Sequence, residues 1–486
     1  MPKFTRRQIA LMGAASVISS ASSASVAAPR ATRQPRRQRR PPNIVIFLAD
    51  DLGYGDLGCY GHPLIRTPNI DRLAREGQRW TSFYASAPMC GPSREGLMTG
   101  RMPIRIHGTG KNGWNDIPDA EFTLGELLKG SGYATAYVGK WGLSGTAFTY
   151  RGAHPNDQGF DYFYGLAASN DAGRLPGGAG RTYENIKDIG STDFAIPLYR
   201  QRDVIESPVE QATLTQRYTQ EAVRWARQHA DRPFFLYLAY SAPHVPIFAP
   251  GQFKGRSEAG LYGDVVEELD WSVGQVLQAL HDTDLADDTL IIFTSDNGPW
   301  LTYYDLGGSA GPWRDGKLTA WEGAYRVPGI FRWPGKIEPA VVDGIGVNVD
   351  LMGTIASVVG ASLPSDRSYD SIDLSSTLFT GKPSPRNEWL FYGPTGDLWA
   401  ARVGNYKLVY ESWDSIGPEN VPAEVPGYVF KWSDRGYGNH VVYDPPVLFD
   451  LSVDLRERRD VAAQHPEVIA QIQQAVANSQ FRPRGR

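Results

Sequence analysis

The sequence predicts an α/β fold: a large, mostly parallel sheet covered on both faces by helices, followed by a smaller antiparallel sheet. Three observations carry this. Continuous apolar runs of strand length recur along most of the chain, as strands buried on both faces require. Between them lie segments with helical spacing and helix-start residues, so strands and helices alternate. After about Gly381 the pattern changes to shorter, more polar strand-like segments. A chain of 486 residues, 41% hydrophobic and 21% charged, can bury a large core and has an ordinary globular composition.

Taken in order, Asn43 to Ala49 (NIVIFLA) is the first strand. Thr67-Pro68-Asn69 opens a helix with a cap and a proline at its first position, and Gly77 closes it. Thr123 and Glu126 spell a capping box for the next helix. Tyr133 to Gly139, Pro233 to Tyr240 and Leu290 to Thr294 are further buried strands. The polar, Gly-rich stretch from Asn170 to Ser207 reads as loops around a site. Val266, Leu269, Val273, Val276, Leu277 and Leu280 form the apolar stripe of a long helix. Val403 to Tyr410 and Val447 to Leu451 read as strands of the small sheet. Pro466 to Ala477 reads as a terminal helix with Pro466 in its first turn. There is no internal repeat and no coiled-coil heptad.

The N-terminus reads as a leader rather than fold. Arg6-Arg7 precedes the run Ile9 to Ile18, which is too short to span a bilayer, and Val26-Ala27-Ala28 offers a cleavage site. This resembles a twin-arginine export signal and implies a periplasmic or secreted protein with no transmembrane segment. The expected organisation is a signal peptide over 1–28, a basic linker over 29–42, a catalytic domain over 43–385 and a C-terminal subdomain over 386–486.

The formal charge of −4 hides an asymmetry, because residues 1–42 hold nine Lys and Arg and no acid. The rest is acidic, which argues against a nucleic-acid partner. Two cysteines, Cys59 and Cys90, do not make a disulfide scaffold. Either they pair or one is reactive, and the surroundings of Cys90 favour the second.

Each strong strand ends in polar residues. The first runs into Asp50-Asp51, the second into Lys140, the third toward His244 and the fourth into Asp296-Asn297. In open α/β sheets sites form beyond the carboxyl ends of strands, so these groups can converge. Three carboxylates and an amide oxygen are hard donors that favour calcium or, less so, magnesium over zinc. Pro92 suits the first turn of a helix, which places Cys90 at a helix N-terminus, a position that favours anions.

Cys90-Gly91-Pro92-Ser93-Arg94 matches the C-x-P-S-R signature of the sulfatase family, and Leu97-Met98-Thr99-Gly100-Arg101 resembles its second part. Asp50-Asp51-Leu52-Gly53-Tyr54-Gly55-Asp56, Gly139-Lys140-Trp141, Ala242-Pro243-His244, Ser295-Asp296-Asn297-Gly298 and Gly316-Lys317 follow in the family's order. Tyr262-Gly263-Asp264 and Glu268-Leu269-Asp270 resemble the arylsulfatase A branch. The resemblance spans about residues 43–460. It implies an alkaline-phosphatase-like fold and a Cys90 oxidised to formylglycine, whose hydrate attacks sulfur with one hydroxyl and releases sulfate through the other. It further implies a calcium ion held by Asp50, Asp51, Asp296, Asn297 and the modified Cys90. Arg94 and Lys140 resemble the groups that hold the hydrate, and His244 and Lys317 those at the sulfate and leaving oxygen.

One position departs from the family pattern. The family reads Gly-Lys-Trp-His where this chain reads Gly139-Lys140-Trp141-Gly142, and the missing His normally contacts the hydrate; His107 and His154 are the candidates to replace it. The expected partners are a sulfated small molecule or carbohydrate and the formylglycine-generating or maturase enzyme that acts on Cys90. The rival readings are a phosphate or phosphonate ester hydrolase of the same superfamily and a non-catalytic, calcium-dependent binder of sulfated glycans.

Overall fold

The computed structural model describes residues 40–108, 116–144, 153–172, 183–414 and 439–479. The segment expected to be an export signal, 1–28, and nearly all of the expected linker, 29–42, lie outside the described residues. No helix among the described residues is long and apolar enough to cross a membrane.

The main sheet has ten strands: β1 Asn43–Ala49, β2 Gln78–Tyr84, β3 Ala134–Lys140, β4 Tyr162–Leu166, β5 Leu198–Arg200, β6 Asp203–Glu206, β7 Phe234–Ala239, β8 Thr289–Ser295, β9 Gly329–Arg332 and β10 Ala340–Val347. Their order is β10-β2-β9-β8-β1-β7-β3-β4-β5-β6, and β8-β1-β7-β3-β4 form a parallel centre. Every residue of β1 is buried, which accounts for its unbroken apolar run. Its odd and even residues serve different layers: Val45 and Phe47 join one core cluster, Ile44, Ile46 and Leu48 the other.

The helices are α1 Pro68–Glu76, α2 Cys90–Thr99, α3 Pro103–His107, α4 Leu124–Gly130, α5 Tyr183–Ile186, α6 Leu214–Gln228, α7 Gly260–Asp282, α8 Glu322–Tyr325, α9 Asp350–Val359, α10 Ser375–Thr380 and α11 Pro466–Asn478. One layer packs α1, α6 and α7 against the sheet, the other α2, α4 and α9. The capping box of α4 forms as expected: Glu126 N donates to Thr123 Oγ1 at 3.1 Å, and Thr123 N to Glu126 Oε2 at 2.8 Å. The cap of α1 does not come from Thr67. Its hydroxyl donates to Asp71 instead, and Asp270 of α7 accepts from the N–H groups of Asn69 and Ile70 at 3.0 and 2.8 Å.

The small sheet runs β11 Glu388–Tyr392, β12 Leu398–Val403, β13 Tyr406–Asp414 and β14 Asn439–Asp450, antiparallel throughout. The expected strand Val403 to Tyr410 is thus split: Val403 ends β12, Tyr406 to Tyr410 open β13, and the hairpin turns between them at Gly404 and Asn405. Gly404 takes φ +57°, which a glycine supplies without strain. A third core cluster, including Tyr84, Trp321, Tyr325, Phe391, Leu408 and Phe449, joins the two sheets. Asn170 to Ser207 is not all loop either: its described part holds α5 and the hairpin β5–β6, which extends the sheet edge antiparallel to β4.

Candidate active site

The order β8-β1-β7-β3 puts four parallel strands side by side, so the residues after their carboxyl ends are neighbours. Asp50 and Asp51 follow β1, Asp296 and Asn297 follow β8, His244 follows β7, and Lys140 ends β3. Backbone bonds fix the turns: Asp296 N donates to Ala49 O, and Asp50 N to Ala242 O. Asp51 sits at φ +64° with its N–H on Asp296 Oδ1 at 3.1 Å. Gly139 lets β3 come close to β7, because a Cβ there would lie 1.7 Å from Ala239 O.

Cys90 is the first residue of α2, and Met89 before it has extended backbone. Its Sγ, a carboxylate oxygen of Asp50 and a ring nitrogen of His244 lie within 4.8 Å of one another. Cys59 and Cys90 are both free thiols, so they do not pair. Burial pushes the Cys90 thiol up, against the pull of Lys140 and Lys317.

Buried ion pairs bind the cluster. Arg94 Nε donates to Asp296 Oδ2 at 2.8 Å and its NH1 to Lys140 O at 2.7 Å. Lys140 Nζ donates to Asp50 Oδ2 at 2.5 Å. Lys317 Nζ donates to both oxygens of Asp51, at 2.7 and 2.9 Å. His244 Nδ1 lies 2.6 Å from Val245 O, which leaves Nε2, 3.5 Å from Asp51 Oδ2, facing the site. Burial pushes the imidazole toward its neutral form, with Asp51 opposing. Burial opposes the charge on Asp50 too, but Lys140, His244, Arg94 and Lys317 together hold its carboxyl below the usual range. Asp296 is pushed up to about 7 by burial and by the charge of Asp50.

The residues fit a metal ion. Among the described residues, Asp50 Oδ1 and Asn297 Oδ1 are buried oxygens with no hydrogen-bond donor, while Asn297 Nδ2 donates to Asp51 Oδ1 and Gly298 O. Unmatched buried acceptors are costly unless something cationic meets them. Oxygens of Asp50, Asp51 and Asp296 also lie within 4.8 Å of one another. Three acids here face three permanent cations, Arg94, Lys140 and Lys317. A dication would therefore leave the site positive, as an anionic ester requires.

Gly142 has φ +73°, and a Cβ built on it would lie 3.4 Å from Arg94 Cδ and 3.5 Å from Lys140 Cε. The position points into the site, yet neither candidate replacement is placed to act there. His107 Nε2 is bound to Glu95, at 2.7 and 2.9 Å from its oxygens. His154 spends one ring nitrogen on Gln201 O at 3.1 Å and the other on Asn156 N. Sequence reasoning also missed two residues. Asn170 Nδ2 donates to His244 O and Pro246 O, and Trp300 lies under Lys317 Nζ, 4.2 Å from its ring centroid. Both come from segments without a strand or helix pattern, so no periodicity marked them.

Comparison with known proteins agrees with this geometry. The family model for sulfatases matches residues 42–361, and that for the C-terminal region of aryl-sulfatase matches 384–482. Human arylsulfatase A is 37% identical over 90% of this chain and 87% of its own length. The N-acetylgalactosamine-6-sulfatase of Sus scrofa is 36% identical over 91% and 87%. The solved PsFucS1 sulfatase from Pseudoalteromonas sp. superposes with a TM-score of 0.76 at 29% identity, covering 92% of each chain. Likeness of this extent, in sequence and in fold, places the chain in the sulfatase family, whose members use a metal ion and a formylglycine, and makes it a sulfuric ester hydrolase.

Proposed function

We propose that the protein hydrolyses sulfate esters of a sugar or polysaccharide, with aryl sulfates as surrogates, at a Cys90 matured to formylglycine beside a calcium ion. The observation that carries this is the seat of Cys90: the first residue of α2, with its sulfur beside Asp50 and His244. The signature around Cys90 supports the maturation and makes a formylglycine-generating or maturase enzyme the expected partner. An all-oxygen donor set of Asp50, Asp51, Asp296 and Asn297 supports calcium, with the modified residue 90 as a further ligand. The ion supplies charge neutralisation at the sulfate oxygens. A formylglycine hydrate supplies two hydroxyls, one to attack and one to release.

The chain's own residues do the rest. Arg94 and Lys140 hold the oxygens at residue 90 in place and are themselves held by Asp296 and Asp50. Lys317 presents N–H donors at the ester, where charge develops on the departing oxygen, and His244, whose Nδ1–H is spent on Val245 O, turns Nε2 to the same place and donates there only as the imidazolium that Asp51 favours. The carbohydrate preference draws on the relative named for N-acetylgalactosamine 6-sulfate. The leader implies that the folded protein is exported to the periplasm or beyond.

Two measurements test the reading together. Mass spectrometry of active protein should show the residue-90 peptide lighter than its cysteine form. Matched aryl sulfates and phosphates should give faster release of sulfate. Active protein carrying only a free Cys90 thiol, or a preference for the phosphate ester, would overturn it.

A further inference from the structure

The loop that carries Lys317 is held from outside the main sheet. Arg314 to Gly323 closes on itself, with Gly323 N donating to Arg314 O at 2.8 Å. On its inner side, Lys317 N donates to Pro299 O at 2.8 Å, and Leu318 N donates at 2.9 Å to Pro88 O, just before Cys90. On its outer side the loop pairs with Arg326 through Glu322 at 3.0 Å, and its other charged contacts among the described residues run to the small-sheet region. Arg314 NH1 donates to Glu457 O at 2.9 Å, its NH2 lies 3.7 Å from Asp414 Oδ1, and its guanidinium stacks 3.5 Å from the Trp321 ring centroid. Trp321 Nε1 donates to the same Asp414 oxygen at 2.7 Å. Lys407 Nζ donates to Ala320 O at 2.9 Å and pairs with Glu322 and Glu457 at 3.2 and 2.8 Å, all three side chains fully buried. Glu322 N donates to Glu457 Oε2 at 2.8 Å.

We propose that the small C-terminal sheet is a positioning device for Lys317, acting through Arg314, Asp414, Lys407 and Glu457 on the loop that delivers the ammonium to the site. The proposal rests on the reading of Lys317 as a donor at the departing oxygen. The buried Lys407, Glu322 and Glu457 fix one another tightly, because breaking such a pair leaves an uncompensated charge, and the partly exposed Arg314 and Asp414 add the loop's other anchor. The loop therefore has one seat, and Lys317 reaches Asp51 from it. Without those contacts the loop keeps Pro88 and Pro299 but loses its outer wall, and Lys317 samples more than one place.

A displaced Lys317 should matter most when the departing oxygen is strongly basic and needs its charge met. The test is a leaving-group comparison, phenyl sulfate against 4-nitrophenyl sulfate, on full-length protein with residue 90 matured. Lys317→Met sets the reference. Arg314→Met with Asp414→Asn should lower kcat/KM on phenyl sulfate roughly tenfold more than on 4-nitrophenyl sulfate, in the direction of Lys317→Met. Trp321→Phe, which removes one N–H donor and keeps an aromatic ring, should shift the ratio the same way by less, and carries the test if the double variant does not fold. Equal losses on both substrates, or none, would mean that these contacts only stabilise the fold, and the proposal falls. If Lys317→Met itself shows no leaving-group bias, the reading of Lys317 falls, and this proposal with it.

Discussion

At Gly142 a backbone constraint and a missing side chain coincide. The chain leaves β3 through Trp141, whose N–H bonds Leu166 O, and Gly142 then takes its positive φ with its N–H on Ala167 O. A glycine meets that geometry freely, whereas a His there is strained by roughly 1–2 kcal/mol. The space beyond its absent Cβ leads to Arg94 and Lys140 without a contact under 3.4 Å. An imidazole there would face the oxygens that those cations hold, where a base near neutrality helps to release sulfate. We therefore expect rapid-quench kinetics on an aryl sulfate to show a burst of alcohol in the native protein. Gly142→His should abolish the burst and raise the steady rate roughly tenfold, while the strained φ lowers stability by roughly 1–2 kcal/mol. A native protein without a burst would show that sulfate release does not limit turnover.

Among the elements, α7 shows how one helix serves the site without touching it. Tyr262 donates to Asp56 at 2.6 Å and so ties the turn after Asp50-Asp51 to the segment at Ser309, which bonds the same carboxylate. Asp264 accepts from the N–H groups of Gly255, Arg256 and Ser257. Asp270 caps α1. Glu268 ties no such segment. It is buried, its Oε1 has no partner among the described residues, and burial pushes its carboxyl up to about 8, against a hydrogen bond from Gln216. In the unfolded chain it ionises near the ordinary Glu value of about 4.3. Between those values the folded state keeps a proton that the unfolded state has lost, so stability falls as pH rises. Glu268→Gln should flatten that dependence. Urea unfolding at pH 5 and pH 8 should find the variant gaining on the native protein by at least about 1 kcal/mol at the higher pH. Parallel pH profiles for the two would refute the assignment. These polar positions on α7 also mark where sequence reading stops. Its apolar stripe was legible from spacing, and so were β1, β3, β7 and β8, because strands buried on both faces must be apolar throughout. By contrast, β10 at the sheet's edge begins exposed, β2 (QRWTSFY) mixes polar residues with aromatic ones, and β9 is only four residues long, so nothing in their pattern marks them.

For the molecule as a whole, the site is the place where the sheet's order becomes chemistry. Strand order β8-β1-β7-β3 is not written in the sequence, but the placement of acids, His and Lys directly after four apolar runs is, which is why the cluster is legible without the topology. What spacing could not supply was the reach of side chains from elsewhere: Trp300 under Lys317, Asn170 behind His244, and the small sheet behind the Lys317 loop. The same geometry ties metal binding to global stability. Asp50-Asp51 follow β1 and Asp296-Asn297 follow β8, two neighbours in the middle of the sheet, and their oxygens converge with two buried acceptors unmatched among the described residues. A dication held there joins the ends of both strands in the folded state, and the unfolded chain offers no such set. Calcium at about 100 times its Kd should then stabilise the protein by about 2.7 kcal/mol over the chelated form, with magnesium giving less because it demands a tighter octahedral shell. Asp50→Ala removes a donor from a site with few carboxylates, so its melting temperature should not respond to calcium, whatever its baseline. Calorimetry of both proteins, stripped and then reloaded, separates the two effects. An equal calcium shift in Asp50→Ala would place the ion elsewhere, and no shift in the native protein would deny that these strand ends hold it.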